Sequence, residues 1–273
     1  CNITTAGSIL NDLVINGAGC EFVVNDDLKV YGNFTLQNGT FNQNGNVVTL
    51  GNSYDNSLIY GTYIVGPGGK LRIGSASSFV VKAGGTFEAV GDNVNYAQIT
   101  NDGGSNRYYF TVEGGLIKAE YYSFSYLAKQ GIIISKDATI HGVKNFSHGI
   151  FSNVVSAGVC IDIRNDQEFI KTDSIVDISF PNNPGGGAVN IKKTESSTGS
   201  IDVYNATGLL AGELYENDPH GLINWKGDVE YIWTAGANTN NWWDPMNWTA
   251  KLNGVEVPHT IPGESNNVII PSM

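Results

Sequence analysis

A recurring tripeptide constrains this chain more than any other feature: a small residue, then Thr or Leu, then a large apolar residue. It reads GTF at 39–41, GTY at 61–63, GTF at 85–87, GLI at 115–117 and ATI at 138–140. Successive starts lie 22, 24, 30 and 23 residues apart. VCIDI from 159, IVDISF from 175, VNI from 189 and IDVY from 201 continue the style. A repeat of roughly 20–30 residues, each holding several short strands, marks a solenoid.

Within the repeats apolar residues alternate with polar ones, as in Leu28–Val30, Phe34–Leu36, Leu71–Ile73, Tyr108–Val112 and Ile161–Ile163. That is the period of a strand, and almost no window carries the i, i+3, i+4, i+7 spacing of a helix. Asn38-Gly39 between Phe34/Leu36 and Phe41 could close a two-residue hairpin. A β-sandwich, however, would place one such turn about every 8–12 residues. The expectation is therefore an all-β chain folded as a right-handed parallel β-helix, with a β-sandwich as the alternative. Gly numbers 34 and Asn is about as frequent, both suited to corners that need positive φ.

All five tryptophans, Trp225, Trp233, Trp242, Trp243 and Trp248, fall between 225 and 248. This composition shift places the boundary near there: residues 1–226 as the β-helix, and 227–273 as a small Trp-rich β module continuing into a longer parent chain. With a first residue Cys1 and no leader, the chain is expected to be a processed or excised piece of a secreted protein.

The formal net charge of −11 excludes the basic surfaces that bind nucleic acid or anionic membranes. No apolar run approaches the ~18 residues of a membrane span, so no membrane insertion is expected. Cys1, Cys20 and Cys160 lack metal-ligand spacing. Three readings remain open for them: buried small apolar residues, a Cys1–Cys20 bridge, or acylation of Cys1.

A catalytic groove would need facing carboxylates, or a base with acidic residues holding a cation. Asp162 and Arg164, in the run Val159–Asp166, with Lys171, Asp173 and Asp177 placed on the next coil, are the best such set. Residues two apart on a strand project from one face about 7 Å apart; a solvated face with an ion pair is the plainer reading of the same residues. NDGGSN at 101–106 and GELYENDPHG at 212–221 read as structural turns. The four histidines have no paired spacing for zinc, and no cofactor motif is present, so no metal or cofactor is expected. Trp242, Trp243 and Trp248 are candidate ligand-binding rings, because a sugar's apolar face stacks on an exposed aromatic. A module of about fifty residues also needs large side chains for its core, so most of the rings are expected to be buried. Six Asn-X-Ser/Thr sequons, at Asn2, Asn33, Asn38, Asn145, Asn205 and Asn247, are no more than a chain so rich in Asn and Thr yields by chance.

The stretch 180–225, FPNNPGGGAVNIKK…GLINW, resembles the end of β-helix regions in large secreted surface proteins of Bacteroidetes-type bacteria. The segment 231–272, YIWTAGANTNNWWDPMNW…VPHTIPGESNNVIIPS, is similar to a Trp-rich module that follows such regions. The resemblance implies export through a type IX secretion system and a place at the cell surface or outside the cell; it brings no active site. Together these readings lead to a non-enzymatic extracellular or cell-surface structural or adhesive module, associating end to end with itself or with other surface proteins. The alternative is a polysaccharide-active or polysaccharide-binding protein with a groove near 162–177.

Overall fold

The computed structural model describes residues 1–164, 174–180, 186–196, 199–226, 229–237, 239, 241–252, 255–257 and 268–271. The chain forms two compact units, Cys1–Asn224 and Trp225–Met273. Among the described residues there is no α-helix; two single-turn 3₁₀ segments interrupt an otherwise all-β chain.

The first unit is a parallel β-helix. Among the described residues the strand ladders of its faces are parallel, and strands that pair lie one coil apart in sequence rather than adjacent. Each coil passes through three faces in turn. In the second coil these are Phe34–Leu36, then Thr40–Asn42, then the Val47–Ser53 strand; the first two join in one bent strand, Phe34–Asn42. Thr40, Thr62, Thr86, Leu116 and Thr139 are consecutive register partners on the second face. Each is the central residue of one recurring tripeptide, so the sequence repeat is the coil.

The pleat sends alternate residues inward. On the first face Leu13, Phe34, Ser57, Phe79, Phe110, Ile132, Ile161 and Ile191 stack as one column. On the third face Leu28, Val48, Leu71, Ile99, Phe124 and Phe151 do the same. Aromatic rings link the columns along the axis: Phe79 stacks on Phe110 at 5.1 Å, Phe124 on Phe151 at 5.9 Å, and Phe151 on Phe180 at 5.7 Å. The one small residue in the first column, Ser57, is followed six positions later by Tyr63. That ring contacts Phe34, Phe41, Phe79 and Phe87 at centroid distances of 5.0–6.0 Å.

Close backbone approach explains the glycine at the first-to-second-face corner. A Cβ on Gly61 would lie 2.4 Å from the Gly39 carbonyl oxygen, and one on Gly85 2.2 Å from that of Ile59. The same position is Gly115 in the next coil and Ala138 in the one after, and Ala138 is fully buried. In the first coil the corner is a bulge at 17–20 within the strand Leu13–Val24, because the register passes from Asn16↔Asn38 to Glu21↔Thr40.

The second unit holds a four-stranded sheet in the order Val255–Val257, Trp248–Leu252, Val229–Trp233, Val268–Ile269. The two central strands are antiparallel, and Val268–Ile269 runs parallel to its neighbour. Its core is Tyr231 and Trp248, with Trp233 and Val268 packed against them.

Gly85→Ala is expected to cost about 1–3 kcal/mol, the range for forcing an extra methyl into a packed site. Gly66→Ala, with nothing within 4 Å of its added Cβ, should stay within ~0.5 kcal/mol of wild type in urea denaturation. Tyr63 tests the interior separately. Its hydroxyl is buried with no hydrogen-bond partner among the described residues, whereas the Tyr122 hydroxyl donates to the Phe146 carbonyl at 3.0 Å. Tyr63→Phe should therefore leave stability unchanged or raise it, while Tyr122→Phe lowers it by about 1 kcal/mol. Burial pushes both phenols well above their ordinary range. Since the folded protein holds them neutral, their contribution is complete below pH ~10 and is lost above it, as the unfolded chain ionises.

Candidate functional site

On the strand Val159–Ile163, Ile161 and Ile163 point into the solenoid, and Asp162 points to the opposite face. Asp162 is nevertheless only 2% exposed. Its Oδ2 accepts from Arg164 Nε at 3.0 Å and Nη2 at 2.7 Å, and from Lys192 Nζ at 3.3 Å. Lys192 is the register partner of Asp162 on the next coil. One carboxylate thus ties two cations across a coil boundary, which fixes register; at this exposure it is not offered to a polymeric substrate. The neighbouring Cys160 thiol is fully buried, and burial pushes it far above the ordinary thiol range, so it is not a nucleophile.

Asp177 belongs to a different part of the surface, the corner between the second and third faces. Tyr121, His148, Asp177 and Asn205 follow one another there at successive coils, with φ of 49°, 54°, 55° and 52°. Backbone bonds connect them in sequence: Tyr121 N to Ser147 O, His148 N to Val176 O, Asp177 N to Tyr204 O. The rings of Tyr121 and His148 stack at 4.5 Å, Asp177 Oδ2 lies 3.1 Å from His148 Nδ1, and Asn205 Nδ2 donates to Asp177 Oδ1 at 3.0 Å. Left-handed backbone is unfavourable for residues with a Cβ, and this outer ladder is what offsets it. The structure therefore gives Asp162 and Asp177 separate partners on separate corners. Lys171 and Asp173 lie outside the described residues.

The two oxygen-rich loops are turns. Asn101 Nδ2 donates to the carbonyls of Gly103, Gly104 and Asn106 at 2.8–3.1 Å, which turns those oxygens toward an amide. Asp218 accepts from the backbone of His220, Leu222 and Ile223. Among the described residues no group of three His, Cys, Asp or Glu side chains is placed to hold a metal ion. Cys1 and Cys20 are exposed free thiols. No helix of the described residues is long and apolar enough to cross a membrane.

In the second unit Trp248 is fully buried, which removes it from the candidate ligand contacts and makes it core. Its indole Nε1 donates to the Trp242 carbonyl at 2.8 Å, and its ring meets Trp233 at 4.9 Å and Trp242 at 4.6 Å. Trp242 is 40% and Trp243 70% exposed. The loop carrying them is organised by buried Asn247, whose Nδ2 donates to Thr239 O, Thr239 Oγ1 and Asn241 O, and whose Oδ1 accepts from Ala237 N.

The corner of the first four coils holds a cleft of about 370 Å³ that the sequence reading did not single out. Gly39 and Gly61 form its floor, Asn38 and Tyr60 one side, Thr40 and Thr62 the other, and Glu21 stands at its first-coil end. The signal lay in the tripeptides: one glycine per coil brings consecutive backbones together at this corner, and Tyr60 is the large residue directly before one of them. Comparisons of the chain with family models, curated proteins and solved structures gave no match.

Asp162→Ala is expected to destabilise the first unit by about 1–3 kcal/mol in urea titration, below the range for fully buried pairs because its partners reach solvent. Arg164→Ala should cost less than ~1 kcal/mol, since Lys192 still faces the carboxylate and Arg164 is itself 43% exposed.

Proposed function

We propose that this chain is a non-catalytic structural module displayed at the cell surface or outside the cell, where its solenoid acts as a stiff spacer or stalk. One observation carries the reading. An inward column of eight successive rungs runs from Leu13 to Ile191 along the first face, and every rung pairs with the next in parallel register. At about 4.8 Å per coil, the column is roughly 34 Å long. To bend such a stack is to open backbone ladders on one side and compress packed rings on the other.

The surface chemistry supports the location. Charged residues are 15% of the chain, and Asn, Ser and Thr provide most of the remaining polarity; the resemblance of residues 180–225 to secreted surface proteins points the same way. End-to-end association with further copies, or with other surface proteins, belongs to the same reading.

The test is antibody labelling of intact producing cells, with electron micrographs of the purified protein. Surface label and rods, single or joined end to end, are expected. Label that requires permeabilised cells would overturn the location, and turnover of a polysaccharide by the purified protein would overturn the non-catalytic reading.

A further inference from the structure

We infer that the furrow over Gly39 and Gly61 is a binding site for an uncharged linear glycan. This function goes beyond that of a spacer and stands on different residues.

The floor comes first. A Cβ at Gly61 would collide with the Gly39 carbonyl oxygen, and one at Gly39 with the carbonyls of Gly17 and Cys20. Both positions are therefore held to glycine, which lets consecutive backbones close up beneath the cleft. Tyr60 forms its wall and is 42% exposed. A ring beside a narrow furrow offers a flat apolar surface to the C–H face of a pyranose.

Polar groups converge on the same space. Asn38 Nδ2 donates to Asn16 Oδ1 at 2.8 Å, which fixes the amide and leaves its carbonyl oxygen without a hydrogen bond among the described residues. Glu21 Oε1 accepts from Asn42 Nδ2 at 2.9 Å, leaving Oε2 as an acceptor. The hydroxyls of Thr40, Thr62 and Tyr60 also have no partner among the described residues. Together they provide hydroxyl donors and acceptors, an amide carbonyl and a single carboxylate. No Lys, Arg or His lines the furrow, so phosphate, sulfate and uronate chains are disfavoured and a hydroxyl-rich neutral chain fits.

Periodicity selects the polymer. Thr40 and Thr62 are register partners, so the same group recurs one coil on, at about 4.8 Å. That spacing is close to the rise of one sugar along an extended glycan, and a cleft of about 370 Å³ holds a short run of such units.

Calorimetric titration of the intact chain with neutral gluco-, manno-, xylo- and N-acetylglucosamine oligosaccharides of increasing length tests the site. Affinity should rise over the first few sugars and then level. Tyr60→Ala should weaken it by about tenfold or more, and Thr62→Val by about three- to tenfold, with far-UV circular dichroism unchanged. Trp243→Ala should leave it unchanged. The inference fails if none of these oligosaccharides binds, if acidic ones bind better, or if binding survives both furrow substitutions. The Thr62→Val variant keeps the outcome readable should Tyr60→Ala disturb the corner. None of these failures touches the spacer reading, which rests on location and shape.

Discussion

Everything in the solenoid depends on one short distance, the approach of consecutive backbones at the first-to-second-face corner. There the carbonyl of one coil lies where the next coil's Cβ would stand, so a glycine is required at Gly39, Gly61 and Gly85. With the corners held at that separation, Thr40, Thr62, Thr86, Leu116 and Thr139 fall into register. The inward residues on either side then meet their counterparts above and below. Phe79 can stack on Phe110, and Phe41 can reach Tyr63, because the corner between them does not slip.

That constraint is local, and so it was legible in the sequence. The recurring tripeptides are the corners, their spacing is the coil length, and the period-two runs beside them are the faces. What could not be read were features made by two coils together. Asp162 alternates with inward Ile161 and Ile163 as a solvent-facing residue should, yet it is buried, because Lys192 from the next coil and Arg164 close on it. Those partners lie 2 and 30 residues away, and no local pattern announces the second. Trp248 illustrates the same limit in the second unit. The sequence could say that a small module needs buried rings, but the choice among adjacent tryptophans was made by the Val229–Trp233 strand beside it.

Polar residues do two kinds of work here. Inside, Asn190 is fully buried and donates to the carbonyls of Leu210 and Gly212, which satisfies backbone groups at a turn. Outside, the Tyr121, His148, Asp177 and Asn205 ladder holds four non-glycine residues in left-handed backbone by stacking and hydrogen bonding. Asp177, which first drew notice as a carboxylate near other carboxylates, owes its place to this second role. A carboxylate in a solenoid has to be judged against the coil on either side of it before chemistry is assigned to it.

Coil length varies while the columns do not. The coil from Thr86 to Leu116 takes 30 residues where that from Thr40 to Thr62 takes 22, yet both keep register, because the surplus leaves as surface turns, most of it at 91–96 between the second and third faces and less at 101–106. Extra chain therefore escapes sideways, away from the axis, at the modest entropic cost of a longer surface loop. An ancestral unit copied many times could diversify its periphery freely while its centre stayed frozen, and grafts placed at such outgrowths would be carried without disturbing the shaft.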